Sequence, residues 1–355
     1  MSLMLDEIRQ QPEVLERTLR QELRGIEALK KALAARRPKM IVLAARGTSD
    51  NAAQFGRYLL EISTGIPVSL AAPSIYTLYG ANVDLKDAMV VAISQSGEST
   101  DTNLVLERAK AAGALTVGVT NEETSALANL AEFVVLVRGG REKSVAATKT
   151  YTGQLLAMYL LAYALGAAID LEDVRRIPEW TTAALKLEKD IRELAPRYRF
   201  MEHCVVVGRG LNYANAFEFA LKMMETCYVV AERFSSADFL HGPIAMVERS
   251  FPVFLFTPGG VTWQGQKEML ARLNAMGAET VVLADRSAPE ALSLSPRSIC
   301  VPARLVGKRG GALPADVFTP IPYIVPAQLF AAALAEEKGL NPDQPRSLEK
   351  VTRTL

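Results

Sequence analysis

The spacing of apolar residues changes several times along the chain, and each change marks an element. From Leu5 to Arg37 they recur at helical spacing (Leu15, Leu19, Leu23, Ile26, Leu29, Leu33) among charged residues. That stripe predicts an amphipathic helix, interrupted near Pro12, where the ring removes a backbone donor. Arg36-Arg37-Pro38-Lys39 ends it, with cations where the helix dipole favours them. Short β-rich runs follow at Met40–Ala44, Val68–Leu70, Met89–Ile93, Leu115–Val119 and Phe133–Val137. Stretches such as Asn51–Ile62 and Asp101–Ala112, rich in helix formers, lie between some of them. This alternation predicts a parallel sheet covered by helices on both faces. The longest apolar run, Leu155 to Ile169, is shorter than the ~20 residues a bilayer requires. It reads as a buried helix, and no membrane association is expected.

The pattern also recurs at long range. Val42-Leu43-Ala44-Ala45-Arg46-Gly47 resembles Val205-Val206-Val207-Gly208-Arg209-Gly210 at an offset of 163, which also pairs Ala53 with Ala216, Val90 with Val253 and Gly97 with Gly260. One residue later, Gly113-Ala114-Leu115-Thr116-Val117 matches Gly277-Ala278-Glu279-Thr280-Val281. A near-constant offset across four elements in order predicts two tandem copies of one α/β unit. The 355-residue length suits two domains.

Composition narrows the function. A net charge of +1 with no long block of one sign leaves no basic face for nucleic acid. Two histidines, His203 and His241, and three cysteines exclude zinc frameworks of the Cys/His spacing type. A reducing, cytoplasmic setting is expected.

The copies differ where chemistry would lie. Ser94-Gln95-Ser96-Gly97-Glu98-Ser99 follows a strand and precedes a helix. Hydroxyls and backbone N–H groups there suit an anion such as phosphate at the carboxyl end of a parallel strand. An ordinary helix cap would need one hydroxyl. The counterpart, Thr257-Pro258-Gly259-Gly260, offers one hydroxyl and a proline. Arg46-Gly47-Thr48-Ser49-Asp50-Asn51 ends the first strand, either lining the same crevice or serving as a polar turn. Gly208-Arg209-Gly210-Leu211-Asn212-Tyr213 puts Tyr213 where a dinucleotide fingerprint needs a small residue. Lys222 and Glu225, three apart in a helical stretch, read from spacing alone as a surface ion pair. His241 precedes a Gly-Pro turn, in a loop where either a functional or a structural histidine fits.

Taken together, these segments resemble the sugar isomerase (SIS) family, in particular the isomerase half of glucosamine-6-phosphate synthase and the free-standing glucosamine-6-phosphate deaminases. The resemblance rests on Arg46–Ser49, Ser94–Ser99, Ser144-Val145-Ala146-Ala147-Thr148-Lys149, Ala220–Glu225, Phe239-Leu240-His241-Gly242-Pro243 and Asp343–Thr352. It implies that Thr48, Ser49, Ser94, Gln95, Ser96 and Ser99 hold the phosphate and sugar hydroxyls, with Val145 and Glu349 nearby. Glu225 matches the base that moves a proton between C1 and C2, and Lys222 precedes it by one helical turn. His241 matches the ring-opening histidine, contributed to the partner's site in a homodimer. Lys350 matches the tail lysine that condenses with an open-chain ketose. No metal or cofactor is implied.

The chain departs from the synthase at Ala147, Ser99, Met224 and Glu349, and its Glu349-Lys350-Val351-Thr352 ending resembles the deaminase branch. The first cysteine is Cys204, so no glutaminase activity is expected. The expected architecture is α/β, with two tandem SIS domains, each a flavodoxin-like three-layer α/β/α sandwich with a parallel sheet. The expected parts are an N-terminal helical segment (1–36), a first SIS domain (37–170), a helical linker (171–198), a second SIS domain (199–335) and an active-site tail (336–355). The expected substrate is a phosphorylated amino sugar or ketose phosphate. Glucosamine-6-phosphate deamination is the leading activity, a fructosamine-6-phosphate deglycase or aldose–ketose isomerase the alternative, and a non-catalytic phosphosugar sensor the rival.

Overall fold

Val42 pairs with Val90, and 163 residues further on Val205 pairs with Val253. The offset seen in the sequence therefore also preserves strand register. The structure, a computed structural model, describes residues 2–302, 313–314, 316–348 and 350. Glu349 and the residues after Lys350 lie outside the described residues.

The described residues form two compact units. The first comprises residues 13–142 and 147–175 with Ser347, Leu348 and Lys350; the second comprises residues 2–12, 143–146 and 176–346. In the first unit, β1 (Met40–Ala44), β2 (Val68–Leu70), β3 (Ala88–Ile93), β4 (Leu115–Thr120) and β5 (Phe133–Leu136) form a parallel sheet in the order β2-β1-β3-β4-β5. In the second, β6 (His203–Gly208), β7 (Val230–Ser235), β8 (Pro252–Phe256), β9 (Glu279–Asp285) and β10 (Arg297–Val301) give β10-β9-β8-β6-β7. Renumbered from its own first strand, each sheet has the order 2-1-3-4-5 of flavodoxin-like folds.

Successive strand side chains point to opposite faces, so each sheet needs two covers. In the first unit Val42, Ala44, Val90 and Ala92 pack with Val105, Leu106 and Ala109 of the helix Thr100–Ala111. Leu43, on the other face, approaches Gly56 of the helix Thr48–Thr64, which packs in turn on the helix Lys149–Ala164, with Phe55 and Tyr159 centroids 5.2 Å apart. The Lys149–Ala164 helix is buried almost all round, as its unbroken apolar sequence requires. In the second unit Val205, Val207, Val253 and Leu255 pack with Met269, Leu270 and Leu273 of the helix Trp263–Ala275. The opposite face is aromatic. Phe219, of the helix Tyr213–Cys227, lies edge-on to Phe254 at 5.2 Å and near Phe330 at 6.0 Å. No described helix is long and apolar enough to cross a membrane.

The N-terminal interruption falls earlier than Pro12. One helix spans Leu3–Arg9 and the next Gln11–Ala35, with the break at Gln10. Pro12 sits in the first turn of the second helix, where a missing donor has little cost. Farther along that helix, Glu22 accepts hydrogen bonds from the Leu136 N–H (3.0 Å) and from Arg138 Nε (2.7 Å). The edge of β5 is thereby covered against unwanted pairing.

Candidate active site

In a 2-1-3-4-5 sheet the connections from the first strand run to opposite sides, leaving a crevice beyond the carboxyl ends of strands 1 and 3. In the first unit those ends carry Arg46–Ser49 and Ser94–Ser99. The serine loop is internally ordered: Ser94 Oγ accepts from the Gly97 N–H (3.1 Å) and Ser96 Oγ from the Glu98 N–H (3.3 Å). The Gln95 carbonyl accepts from the Asn121 N–H (3.1 Å), tying the loop to the end of β4. Gly97 has φ +68°, and a Cβ there would lie 2.2 Å from Ser125 Oγ, so only glycine fits.

Asp101 joins the two loops. It is fully buried, accepts from Arg46 Nε at 2.6 Å and from Ser99 Oγ at 2.9 Å, and was not singled out by the sequence. Its only sequence signal is an acid in the first turn of a helix, which ordinary capping also explains. The Ser99 hydroxyl is thus already a donor within the loop. Ser49 accepts from Gln154 Nε2 at 2.9 Å, and Thr48 opens the helix behind it.

Lys350 belongs to the same unit. Its Nζ lies 2.9 Å from Oε2 of Glu142, whose side chain is completely buried. Glu142 also accepts from the Thr148 N–H (2.9 Å), the Thr150 N–H (3.2 Å) and Thr150 Oγ1 (2.7 Å). Burial alone would raise its pKa, but the Lys350 charge and these donors outweigh burial and hold it below the ordinary carboxylate value. Glu142 was missed because nothing in its local sequence separates it from a loop glutamate.

The second unit carries the other named groups. The helix Tyr213–Cys227 presents Glu218, Lys222 and Glu225 on one face. Here the structure overturns the surface ion-pair reading. Lys222 is buried, its Nζ 2.5 Å from Glu225 Oε2 and 3.4 Å from Glu218 Oε1. An ammonium stays buried only when paired. Burial would lower its pKa, but the two carboxylates more than offset that and raise it, so Lys222 is a fixed cation. Glu218, four residues before Lys222, completes a triad that helical spacing could have revealed. Glu225 keeps 23% of its side-chain surface exposed, unlike Glu218 at 0%. Of the two acids, Glu225 is the one open to solvent.

His241 ends the short helix Ser236–Leu240 and is exposed, its N–H bonded to the Asp238 carbonyl. Val145, half-buried, donates its N–H to the Asp343 carbonyl at 3.3 Å. The second switch point, between β6 and β8, is filled by the chain itself. Asn212 Nδ2 donates to Thr319 Oγ1 (2.6 Å) and Asn215 Nδ2 to the Pro320 carbonyl (2.8 Å). A Cβ on Gly260 would lie 3.4 Å from Oδ1 of the buried Asp316.

The architecture defines a class: two flavodoxin-like parallel sheets, with a serine-rich loop at the switch point of the first. The SIS domain family matches residues 36–164 and 201–303, and the chain belongs to that family. It is 34% identical over 354 residues to a glutamine–fructose-6-phosphate aminotransferase (isomerizing) from Pyrococcus horikoshii, covering 98% of this chain and 57% of that protein. The chain thus spans a little over half the length of this curated relative. Among solved structures it is similar to the C-terminal domain of glucosamine-fructose-6-phosphate aminotransferase from Francisella tularensis, with a TM-score of 0.85 and 28% identity over 97% of this chain and 98% of that one. The glucosamine-6-phosphate deaminase of Thermotoga maritima shares the fold, with a TM-score of 0.74 and 21% identity over 99% of this chain and 100% of that one.

Proposed function

We propose that this chain is a phosphosugar enzyme that converts glucosamine-6-phosphate and water to fructose-6-phosphate and ammonia. The observation that carries this reading is the Glu218–Lys222–Glu225 arrangement, a fixed cation beside one reachable carboxylate. In the proposed reaction His241 assists ring opening, and the Thr48, Ser49 and Ser94–Ser99 groups take the phosphate and sugar hydroxyls, with Val145 and Glu349 alongside. Glu225 removes the proton from C2 of the open-chain aldose and returns it to C1, leaving an imine at C2. Water adds to that carbon, the C–N bond breaks, and ammonia leaves with the ketose. Lys222 stabilises the charge that develops during proton transfer; Lys350 adds to the ketose carbonyl to form an imine with loss of one water, and hydrolysis of that imine by one water frees the ketose. The chain acts as a homodimer, with His241 completing the partner's site.

The test is ammonia release from glucosamine-6-phosphate by the purified protein and by Glu225→Gln. The wild type should turn over, and the variant should lose about a hundredfold or more, the usual contribution of a positioned base. Release from a fructosamine-6-phosphate alone would make it a deglycase, and interconversion of ketose and aldose phosphates without ammonia a simple isomerase. Equal rates for variant and wild type would remove Glu225 as base and favour a sensor.

A further inference from the structure

We propose that Glu7, with Asp343, is a positioning residue of the active site: the two clamp three consecutive amides of the Val145 loop. The inference rests on the function proposed above.

The irregular stretch from 137 to 148 joins β5 to the helix Lys149–Ala164. Loops of about 12 residues without secondary structure are uncommon and tend to be functional. Such a stretch has no ladder of its own, so its amides need other partners. The partners at 143–145 come from near the two chain ends. Glu7, only 4% exposed, accepts from the Lys143 N–H at 2.5 Å through Oε1 and from the Ser144 N–H at 3.2 Å through Oε2. The Val145 N–H goes to the Asp343 carbonyl. The Asp343 carboxylate turns back to the helix that carries Glu7, accepting from the Leu3 N–H (2.7 Å) and the Met4 N–H (2.8 Å). Ser2 Oγ accepts from the next amide, that of Leu5 (3.2 Å). These bonds close a ring: Asp343 holds the helix, the helix presents Glu7, and Glu7 and Asp343 together hold the loop.

The carboxylate has a structural part, since an apolar side chain at position 7 would leave the Lys143 and Ser144 amides without this acceptor. What the carboxylate adds is direction, since charge-assisted bonds fix the loop backbone in one geometry. The chain runs straight from these amides into Glu142 on one side, the residue that holds Lys350, and through Val145 on the other. A small displacement of groups near a reacting centre can cost orders of magnitude in rate.

The experiment compares the full-length wild type with Glu7→Gln and Glu7→Ala. Glu7→Gln keeps the volume but loses one acceptor, so it serves if Glu7→Ala fails to fold. Hydrogen exchange at amides 143–145 should quicken at least about tenfold in the variants, as expected for opened local bonds. For glucosamine-6-phosphate, kcat should fall about tenfold or more while the KM stays within about twofold, because the phosphate loop is untouched. Unchanged exchange would overturn the clamp. Faster exchange with normal kcat would leave Glu7 a merely structural residue and overturn the positioning role. Absence of turnover in the wild type would overturn the proposed function and the positioning role with it, while the exchange result would still decide the clamp.

Discussion

Glu142 keeps a negative charge with no exposed side-chain surface because four donors, one of them the Lys350 ammonium, surround it. Its lowered pKa sets the sign of a stability effect. A carboxyl held below its ordinary value of 4.5 stabilises the fold above that pH, and the contribution fades as pH falls through the lower, folded-state value. Glu142→Gln should therefore cost about 3 kcal/mol at neutral pH, the lower end for breaking a buried pair, since Lys350 is a quarter exposed and can rehydrate. The deficit should shrink as denaturation experiments move below pH 4.5. A gap of constant size down to pH 3 would mean that Glu142 is not the titrating group. Lys222 has the opposite sign. Its raised pKa stabilises the fold below the ordinary lysine value and is lost only in strong alkali, so it should leave no trace in the acid limb.

At the scale of the element, the serine loop is shaped by its neighbours as much as by its own residues. Gly97 and Gly47 both have positive φ, +68° and +55°, but only Gly97 has a side chain within reach of a new Cβ. Gly47, at φ +55° and ψ −130°, lies in a region open almost only to glycine, so Gly47→Ala should cost the backbone strain alone, about 1–3 kcal/mol. Gly97→Ala adds a collision with Ser125, so it should destabilise more and also weaken phosphosugar binding by shifting the Ser94 and Ser96 hydroxyls. Thermal melts and calorimetric titration with fructose-6-phosphate measure both effects. If the two alanine variants behave alike, the close packing of Gly97 on Ser125 is not what shapes the loop. The strands were legible: Met40–Ala44 and Val68–Leu70 match their predicted limits, and the other three strands of the first sheet differ by one residue at one end. Short apolar runs bounded by turn residues leave few alternatives. The interior of the serine loop was not legible, because Asp101 and Ser125 enter it from other elements.

For the whole molecule, two sheets of one order do not imply two ligands. The first switch point ends in hydroxyls and N–H groups. At the second, the chain occupies the crevice with Thr319 and Pro320, and the buried Asp316 stands beside Gly260. Burial raises the pKa of Asp316, and where ionised it would repel a phosphate. Calorimetry should therefore find one phosphosugar per chain, hence two per particle if light scattering gives the mass of the proposed dimer. Two equivalent sites per chain would contradict the division between the sheets, and a fully active monomer would remove His241 from a partner's site.

The sequence by itself determined the two-copy α/β architecture and singled out the serine loop. Hydrophobic periodicity is local, and the 163-residue offset carries the order of elements from one copy to the next, so both survive without knowledge of contacts. The helix Tyr213–Cys227 was equally plain, but its pattern left Lys222 and Glu225 as a surface pair. Only the tertiary structure decided that Lys222 is buried between two acids, that Glu142 holds Lys350, and that Glu7 and Asp343 hold the Val145 loop. Each of these depends on which groups are removed from water together. Burial is set by packing between residues as many as 340 positions apart, and no local pattern records it.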